Sequence, residues 1–259
     1  IARTVLARSR NFMIGAYLAA GGAGGVAGPL MAHALIEDGG DWRIYWRLAA
    51  IIMLMLAAAF LFFADSRFLE AQPHDDAQTQ SREADKTAPR DWSLQEALRS
   101  PAFYLIGGAL MAAYFCGVSV SSWAVTHLTG LGLSAGFASA MLSLHAASNA
   151  AARAAGGVAV KRIRARYLLI AGLAAECVGM LALSFAQSES VAIIFALFEG
   201  FAFGMTLFAT TVLAIEYFGI KNSPAILGAM NLFATVAMLG PTLTGMTGDA
   251  FGSFSPILL

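Results

Sequence analysis

Three polar residues at four-residue spacing, His145, Asn149 and Arg153, interrupt a long stretch of Ala, Gly, Ser and Leu. Residues four apart lie on one face of a helix, and such a stripe drifts by only about 40° per step. Lipid cannot satisfy these groups, so we expect the stripe to face protein or a water-filled cavity. A guanidinium donates two parallel hydrogen bonds to a carboxylate and keeps its proton. The stripe therefore predicts a substrate-binding site for an organic anion.

A second interpretation of Arg153 stays open. Lys161 follows eight residues later, only about 12 Å along a helix, so the arginine side chain could extend to the membrane surface. The polar neighbours on the same face favour the cavity.

Other polar residues inside apolar segments extend the candidate site. Tyr114 and Asn231 are predicted to bind substrate, although such residues also bond neighbouring helices. Any proton coupling is predicted to be carried by His145, by Glu199 or by helices outside this sequence. Glu199 could instead seal the outer gate, and a neutral structural carboxyl is the alternative. Glu176 is interpreted as structural.

Glycines mark where helices can approach closely. The segment GGAGGVAGP contains glycines four apart and ends in Gly28 and Pro29. Small residues at this spacing let transmembrane backbones pack, and proline bends a helix. Gly24, Gly28 and Pro29 are therefore candidates for gating, with plain helix packing as the alternative. The sequence contains no recognised catalytic motif, so no enzyme activity, cofactor or metal is expected.

The composition indicates which elements position these residues. The chain is 58% hydrophobic and only 12% charged, against about 25% charged residues in soluble domains. A bilayer span needs roughly 20 apolar residues. These numbers predict an all-α polytopic membrane protein whose partner is the lipid bilayer, while the net charge of zero gives no reason to expect nucleic acid. The seven predicted spans are 12–36, 44–64, 101–128, 134–160, 167–187, 191–217 and 224–247.

The cations predict the orientation in the membrane. Thirteen of the sixteen Lys and Arg residues fall on one set of alternate loops, and two fall on the other. An excess of Lys and Arg marks the cytoplasmic side. We therefore expect an integral protein of the plasma (inner) membrane with its N-terminal end and the 65–100, 161–166 and 218–223 loops in the cytoplasm.

The 65–100 segment divides the chain. It is polar and mixes both charge signs, and its last part, SLQEALRS, predicts a short surface helix capped by Ser93 with Glu96 three residues later. Three regions follow: 1–64 with two spans, the cytoplasmic loop 65–100, and 101–259 with five spans and the start of a sixth.

These motifs resemble the major facilitator superfamily. The glycine-rich helix ending in Gly28 and Pro29 is similar to its fifth-helix signature, and GDWRIYWRL resembles the Gly-Trp-Arg entry into the sixth helix. The 65–100 segment sits where the long loop between two six-helix halves belongs. EYFGIKNSPAILGAMNLFATVAMLGPTLTGMTGDAFGSF resembles helices ten to twelve of the branch with monocarboxylate transporters and oxalate/formate antiporters.

The resemblance implies a major facilitator-type helical bundle of which this chain holds about seven of twelve transmembrane helices, from about helix 5 to the start of helix 12. The missing N-terminal helices would then be its partner. Arg153 matches the anion-binding arginine of the monocarboxylate branch, whereas Asn149 replaces its aspartate. In GVAVKRIRAR, Lys161 and Arg164 replace the acid and the second glycine of a family loop motif.

Two functions are compatible with these features. The resemblance implies a secondary transporter that moves a small organic anion, a monocarboxylate or small dicarboxylate, by alternating access, with a proton as a potential co-substrate. The alternative is a transport-dead membrane receptor or scaffold that uses the 65–100 loop as its partner site.

Overall fold

All regular secondary structure among the described residues is α-helical. The computed structural model describes residues 10–20, 23–36, 41–63 and 91–251, and within them it contains no β-strand. The prediction of an all-α fold is confirmed. The helices are α1 (Arg10–Ala20), α2 (Ala23–Ile36), α3 (Trp42–Phe63), α4 (Leu94–Leu98), α5 (Pro101–Gly130), α6 (Ala135–Ala159), α7 (Ala165–Ser184), α8 (Glu189–Phe218), α9 (Ser223–Ala237) and α10 (Leu239–Phe251).

Several helices begin where the sequence supplies a cap. Serine hydroxyls at Ser100 and Ser134 accept backbone N–H groups at the starts of α5 and α6, and Pro101 opens α5. The short helix predicted after Ser93 is confirmed as α4. Its capping box is complete, because the Ser93 N–H donates to Glu96 Oε2 at 2.8 Å and Ser93 Oγ accepts from the Glu96 N–H.

One predicted span is divided in the structure, and another is described only in part. The 12–36 span corresponds to α1 and α2, and residues 21–22 between them lie outside the described ranges. The 224–247 span corresponds to α9 and α10, which are separated at Met238. Residues 64–90, most of the predicted connector, also lie outside the described ranges.

Four stretches of the described chain are long and apolar enough to cross a membrane: α5, α7, α8 and the run Ser223–Ala250. Two further helices have the length of a span, since α3 contains 22 residues and α6 contains 25. The polar stripe lowers the mean hydropathy of α6. The helix that carries the candidate site is therefore long enough for a membrane span but less apolar than the four stretches named above.

The larger compact unit contains residues 1–30 and 91–259. Within it, α8 packs along both α7 and α6, α5 packs against α8, α9 and α10, and α1 packs against α6. Glycines allow the α6–α8 contact, because Gly200 and Gly204 of α8 lie directly against the backbone carbonyls of His145 and Asn149. Apolar side chains such as Phe208 fill the core on one side of this contact.

The second unit covers residues 31–90 and includes the end of α2 and the whole of α3. Large apolar side chains of α3, among them Met53 and Leu54, are exposed within the structure. Such a surface is typical of a helix that has lipid as its solvent.

Candidate functional site

Arg153 projects from α6 toward α1. The two helices meet closely at Gly15, where an added Cβ would lie 2.6 Å from the Arg153 carbonyl oxygen and 3.1 Å from Gly157 Cα. One turn further along α1, the Leu18 carbonyl accepts a hydrogen bond of 2.9 Å from Arg153 Nη1. This hydrogen bond ties the Arg153 side chain of α6 to the backbone of α1.

This contact uses only part of the hydrogen-bonding capacity of the guanidinium. Arginine carries five N–H donors, and Nε of Arg153 is buried without a hydrogen-bond partner among the described residues. The guanidinium carbon also lies 5.9 Å from the centre of the Phe203 ring, within range of a cation–π interaction. Leu18 and Phe203 are half-buried residues of neighbouring helices, so the side chain is directed toward protein.

Arg153 lines a cavity of about 330 Å³. Ligand pockets for small molecules begin at about 300 Å³, so the volume suits a small organic ion. The lining combines one cation with hydroxyl, phenol and amide groups and an apolar remainder. Its residues come from α1, α5, α6, α8 and α9: Leu18, Leu110, Tyr114, Arg153, Phe203, Leu207, Thr210, Thr211, Leu227, Met230 and Asn231.

Three of the predicted substrate-binding residues share this cavity. Tyr114 from α5 and Asn231 from α9 join Arg153 in its lining. The Tyr114 ring packs edge-on against Phe203, with ring centres 5.8 Å apart. Asn231 Nδ2 donates to the Leu227 carbonyl of its own helix at 2.9 Å. Three helices thus bring their polar groups to one space, which sequence spacing alone could not show.

His145 and Asn149, the other two members of the stripe, lie outside the cavity lining. Both are buried, and their backbone carbonyls face Gly200 and Gly204 on α8. Both therefore face protein, one of the two environments expected for the stripe, and substrate binding by these two residues stays a prediction. Eight residues on a helix turn by about 80° beyond two full turns, so Arg153 faces α1 and the cavity while His145 faces the interior of the bundle.

His145 is paired with Glu199. Its Nε2 atom is in direct contact with Glu199 Oε2, and the two side chains are 6% and 0% exposed. The imidazole also stacks parallel to the Phe195 ring, with centres 6.5 Å apart. The two residues predicted for proton coupling or gating therefore form one buried pair across the α6–α8 contact. Their role in coupling stays a prediction.

Glu176 has a different environment from the one expected of a peripheral structural carboxyl. It is buried on α7, and neither of its oxygens has a hydrogen-bond partner among the described residues. Cys116 of α5 and Glu199 of α8 are titratable neighbours. The sequence contained one signal for this position: Gly172, Glu176 and Gly179 share a face of α7.

The remaining gating candidates lie in α2. Gly24, Gly28 and Pro29 all belong to this helix, which continues through the proline. Their neighbour Gly25 lies against α6, since an added Cβ would be 3.1 Å from Ala146 Cβ. The contact shows that the glycine-rich face packs closely, and gating by these residues stays a prediction.

Two polar residues of the cavity lining were not predicted from the sequence, Thr210 and Thr211 of α8. Both hydroxyls donate to carbonyls of their own helix, at 2.8 Å in each case, and each keeps lone pairs for a further interaction. The available signal was helical spacing: Leu207 follows Phe203 by four residues, and Thr210 and Thr211 follow Leu207 by three and four.

Several helices able to cross a membrane, packed side by side, define an integral, polytopic membrane protein. The Major Facilitator Superfamily model matches residues 1–241. This match covers most of the chain, which therefore belongs to the superfamily and is a membrane transporter. No curated protein shows a significant match to the sequence.

Proposed function

We propose that the protein is a secondary transporter of a small organic anion, a monocarboxylate or small dicarboxylate, and that it works by alternating access in the manner of the monocarboxylate and oxalate/formate branch. The observation that carries this proposal is the cavity in which Arg153 stands beside Tyr114 and Asn231. Among the described residues that line it, Arg153 is the single formal charge.

The cavity chemistry favours a carboxylate substrate. A guanidinium matches the two oxygens of a carboxylate through parallel hydrogen bonds, and the phenol, amide and hydroxyl groups around it can hold a neighbouring hydroxyl or keto oxygen. The apolar part of the lining would contact a short carbon skeleton. Attraction between ions is stronger here than in bulk water, but it must offset desolvation of the anion. Moderate affinity results, which suits a carrier that must also release its substrate.

The position of Arg153 also supports substrate binding over an interaction with the membrane surface. Its guanidinium contacts Leu18 and Phe203 inside the unit. A side chain extended toward the membrane surface would instead run along α6 toward Lys161. In the proposed orientation, the N-terminal end and the 65–100 loop lie in the cytoplasm and the protein resides in the plasma (inner) membrane.

Uptake into proteoliposomes tests the proposed function. The intact protein is assayed with labelled lactate, pyruvate, oxalate and formate, with and without an imposed proton gradient. We expect saturable uptake of at least one of these anions above that of protein-free liposomes. Lactamide, which replaces the carboxylate by a neutral amide, should neither be transported nor compete. Transport of lactamide equal to that of lactate would contradict a carboxylate-binding arginine.

A further inference from the structure

A cluster of titratable side chains lies where four helices meet in the larger unit. α5 contributes Cys116, α6 contributes His145, α7 contributes Glu176 and α8 contributes Glu199. The two carboxyl groups and the imidazole are nearly inaccessible, with 0% to 6% of each exposed. None of the four lines the cavity that contains Arg153. The cluster is therefore a second polar site, within the packed interior.

Helix packing brings the two carboxylates together. Gly179 of α7 lies against the backbone of Glu199, because an added Cβ would be 2.6 Å from the Glu199 nitrogen. Gly172 similarly lies against Thr206, with 2.6 Å between an added Cβ and Oγ1. Glu176 is one turn from each glycine on the same face of α7. Its side chain is thus placed in the α7–α8 contact beside Glu199.

If His145, Glu176 and Glu199 were all charged, the cluster would hold two negative charges and one positive charge. One imidazole can balance at most one carboxylate, and the contact of His145 with Glu199 assigns it to that carboxylate. Among the described residues, the titratable groups that face Glu176 are Glu199 from α8 and Cys116 from α5, with His145 of α6 reached through Glu199. A second carboxylate left without a cation in an apolar interior is strongly unfavourable.

We propose that Glu176 is a proton-binding site inside the helical bundle, held in its neutral form beside the His145–Glu199 pair. The neutral carboxyl removes the repulsion between the two acids, and the Cys116 thiol of α5 is a further titratable neighbour. Release of this proton leaves two acidic side chains beside a single imidazole. The proposal goes beyond anion binding at Arg153, and its test does not use transport.

Infrared spectroscopy of the protein in lipid nanodiscs tests the proposal directly. At neutral pH we expect a carbonyl absorption from a protonated carboxyl group, which shifts in deuterated water and is lost in Glu176→Gln. Glu189, an exposed carboxylate at the start of α8, supplies the matched control, and Glu189→Gln should keep the band. A spectrum without the band in the wild type, or a band that persists in Glu176→Gln, would overturn the proposal.

The infrared S–H stretch of Cys116 supplies a second readout. A Glu176 with a purely structural role would not need to affect the frequency of this band. Cys177 is exposed, so Cys177→Ser removes its contribution and leaves the absorption of Cys116. On this background, Glu176→Gln should shift the remaining band, whereas Glu189→Gln should leave it in place. An unshifted band shows that Cys116 does not sense Glu176 and contradicts the proposed site. If Glu176→Gln does not give folded protein, Glu176→Met replaces it in this experiment and the same outcome applies.

Discussion

The contact between α6 and α8 leads to a prediction about stability that depends on geometry alone. At Gly204, an added methyl group would meet the Asn149 carbonyl oxygen and lie 3.0 Å from Ala152 Cβ. At Gly200, it would meet the His145 carbonyl oxygen and lie 2.9 Å from Ser148 Cβ. Carbon atoms prefer a separation of about 3.5–4.0 Å. Alanine at either position must therefore push the two helices apart.

The expected magnitude follows from two opposing effects. Overpacking a close contact costs about 1–3 kcal/mol. Replacing glycine by alanine inside a helix returns roughly 0.5–1 kcal/mol through backbone entropy. The clash involves backbone atoms that cannot rotate away, so we expect it to prevail, with a net loss of about 1–2 kcal/mol at each position. Since 1 kcal/mol corresponds to about 2–4 °C for a chain of this size, each variant should unfold about 2–8 °C lower.

Thermal unfolding in detergent, followed by circular dichroism, measures the effect. Gly108 on α5 is the matched control, because an added Cβ there meets nothing within 4 Å. Gly108→Ala should match the wild type or unfold slightly higher, since it gains helix propensity without a clash. If Gly200→Ala and Gly204→Ala unfold at the same temperature as Gly108→Ala, the close approach of α6 and α8 is wrong.

Three further predictions concern the buried pair and the cavity. His145→Gln and Glu199→Gln should each alter the pH dependence of uptake, because each removes one partner of the buried pair. The control Glu189→Gln should not. A wild-type pH profile for all three variants would exclude this pair from proton coupling. Asn231→Asp should lower anion uptake by about tenfold or more, since a carboxylate in the cavity competes for the guanidinium and like charges oppose binding; undiminished uptake would place the substrate elsewhere. Tyr114→Phe keeps the ring contact but loses the hydroxyl, so we expect a raised KM for uptake with an unchanged unfolding temperature, and an unchanged KM would remove the phenol from the binding site.

Local sequence signals predicted most of the helices. The apolar stretches 101–128 and 134–160 located α5 and α6, and Ser93 with Glu96 located α4, because capping depends on residues within one turn. The break at Met238 was missed. Gly240 and Pro241 follow it closely and are typical of a helix boundary, but the span was predicted from its apolar length, which does not separate one long helix from two consecutive ones.

The candidate site was predictable only in part. The cost of an unpaired arginine in lipid correctly placed Arg153 against protein. The same reasoning grouped it with His145, but a small drift per step accumulates over eight residues and turns the two side chains toward different neighbours. The proximity of Glu176 to Glu199 depends on how α7 packs on α8. That packing is a tertiary feature, and spacing along one helix does not contain it.

Uptake by the Arg153→Lys variant tests the central claim most directly. Lysine can still donate to the Leu18 carbonyl, so insertion and unfolding temperature should stay near those of the wild type. It cannot form two parallel hydrogen bonds to a carboxylate, and the loss of a charged hydrogen bond of about 1.5–3 kcal/mol predicts uptake lower by roughly ten- to a hundredfold. Arg166→Lys, a change at an exposed arginine beside Tyr167, is the control and should transport normally. Wild-type uptake by Arg153→Lys would contradict the assignment of Arg153 as the residue that binds the substrate carboxylate.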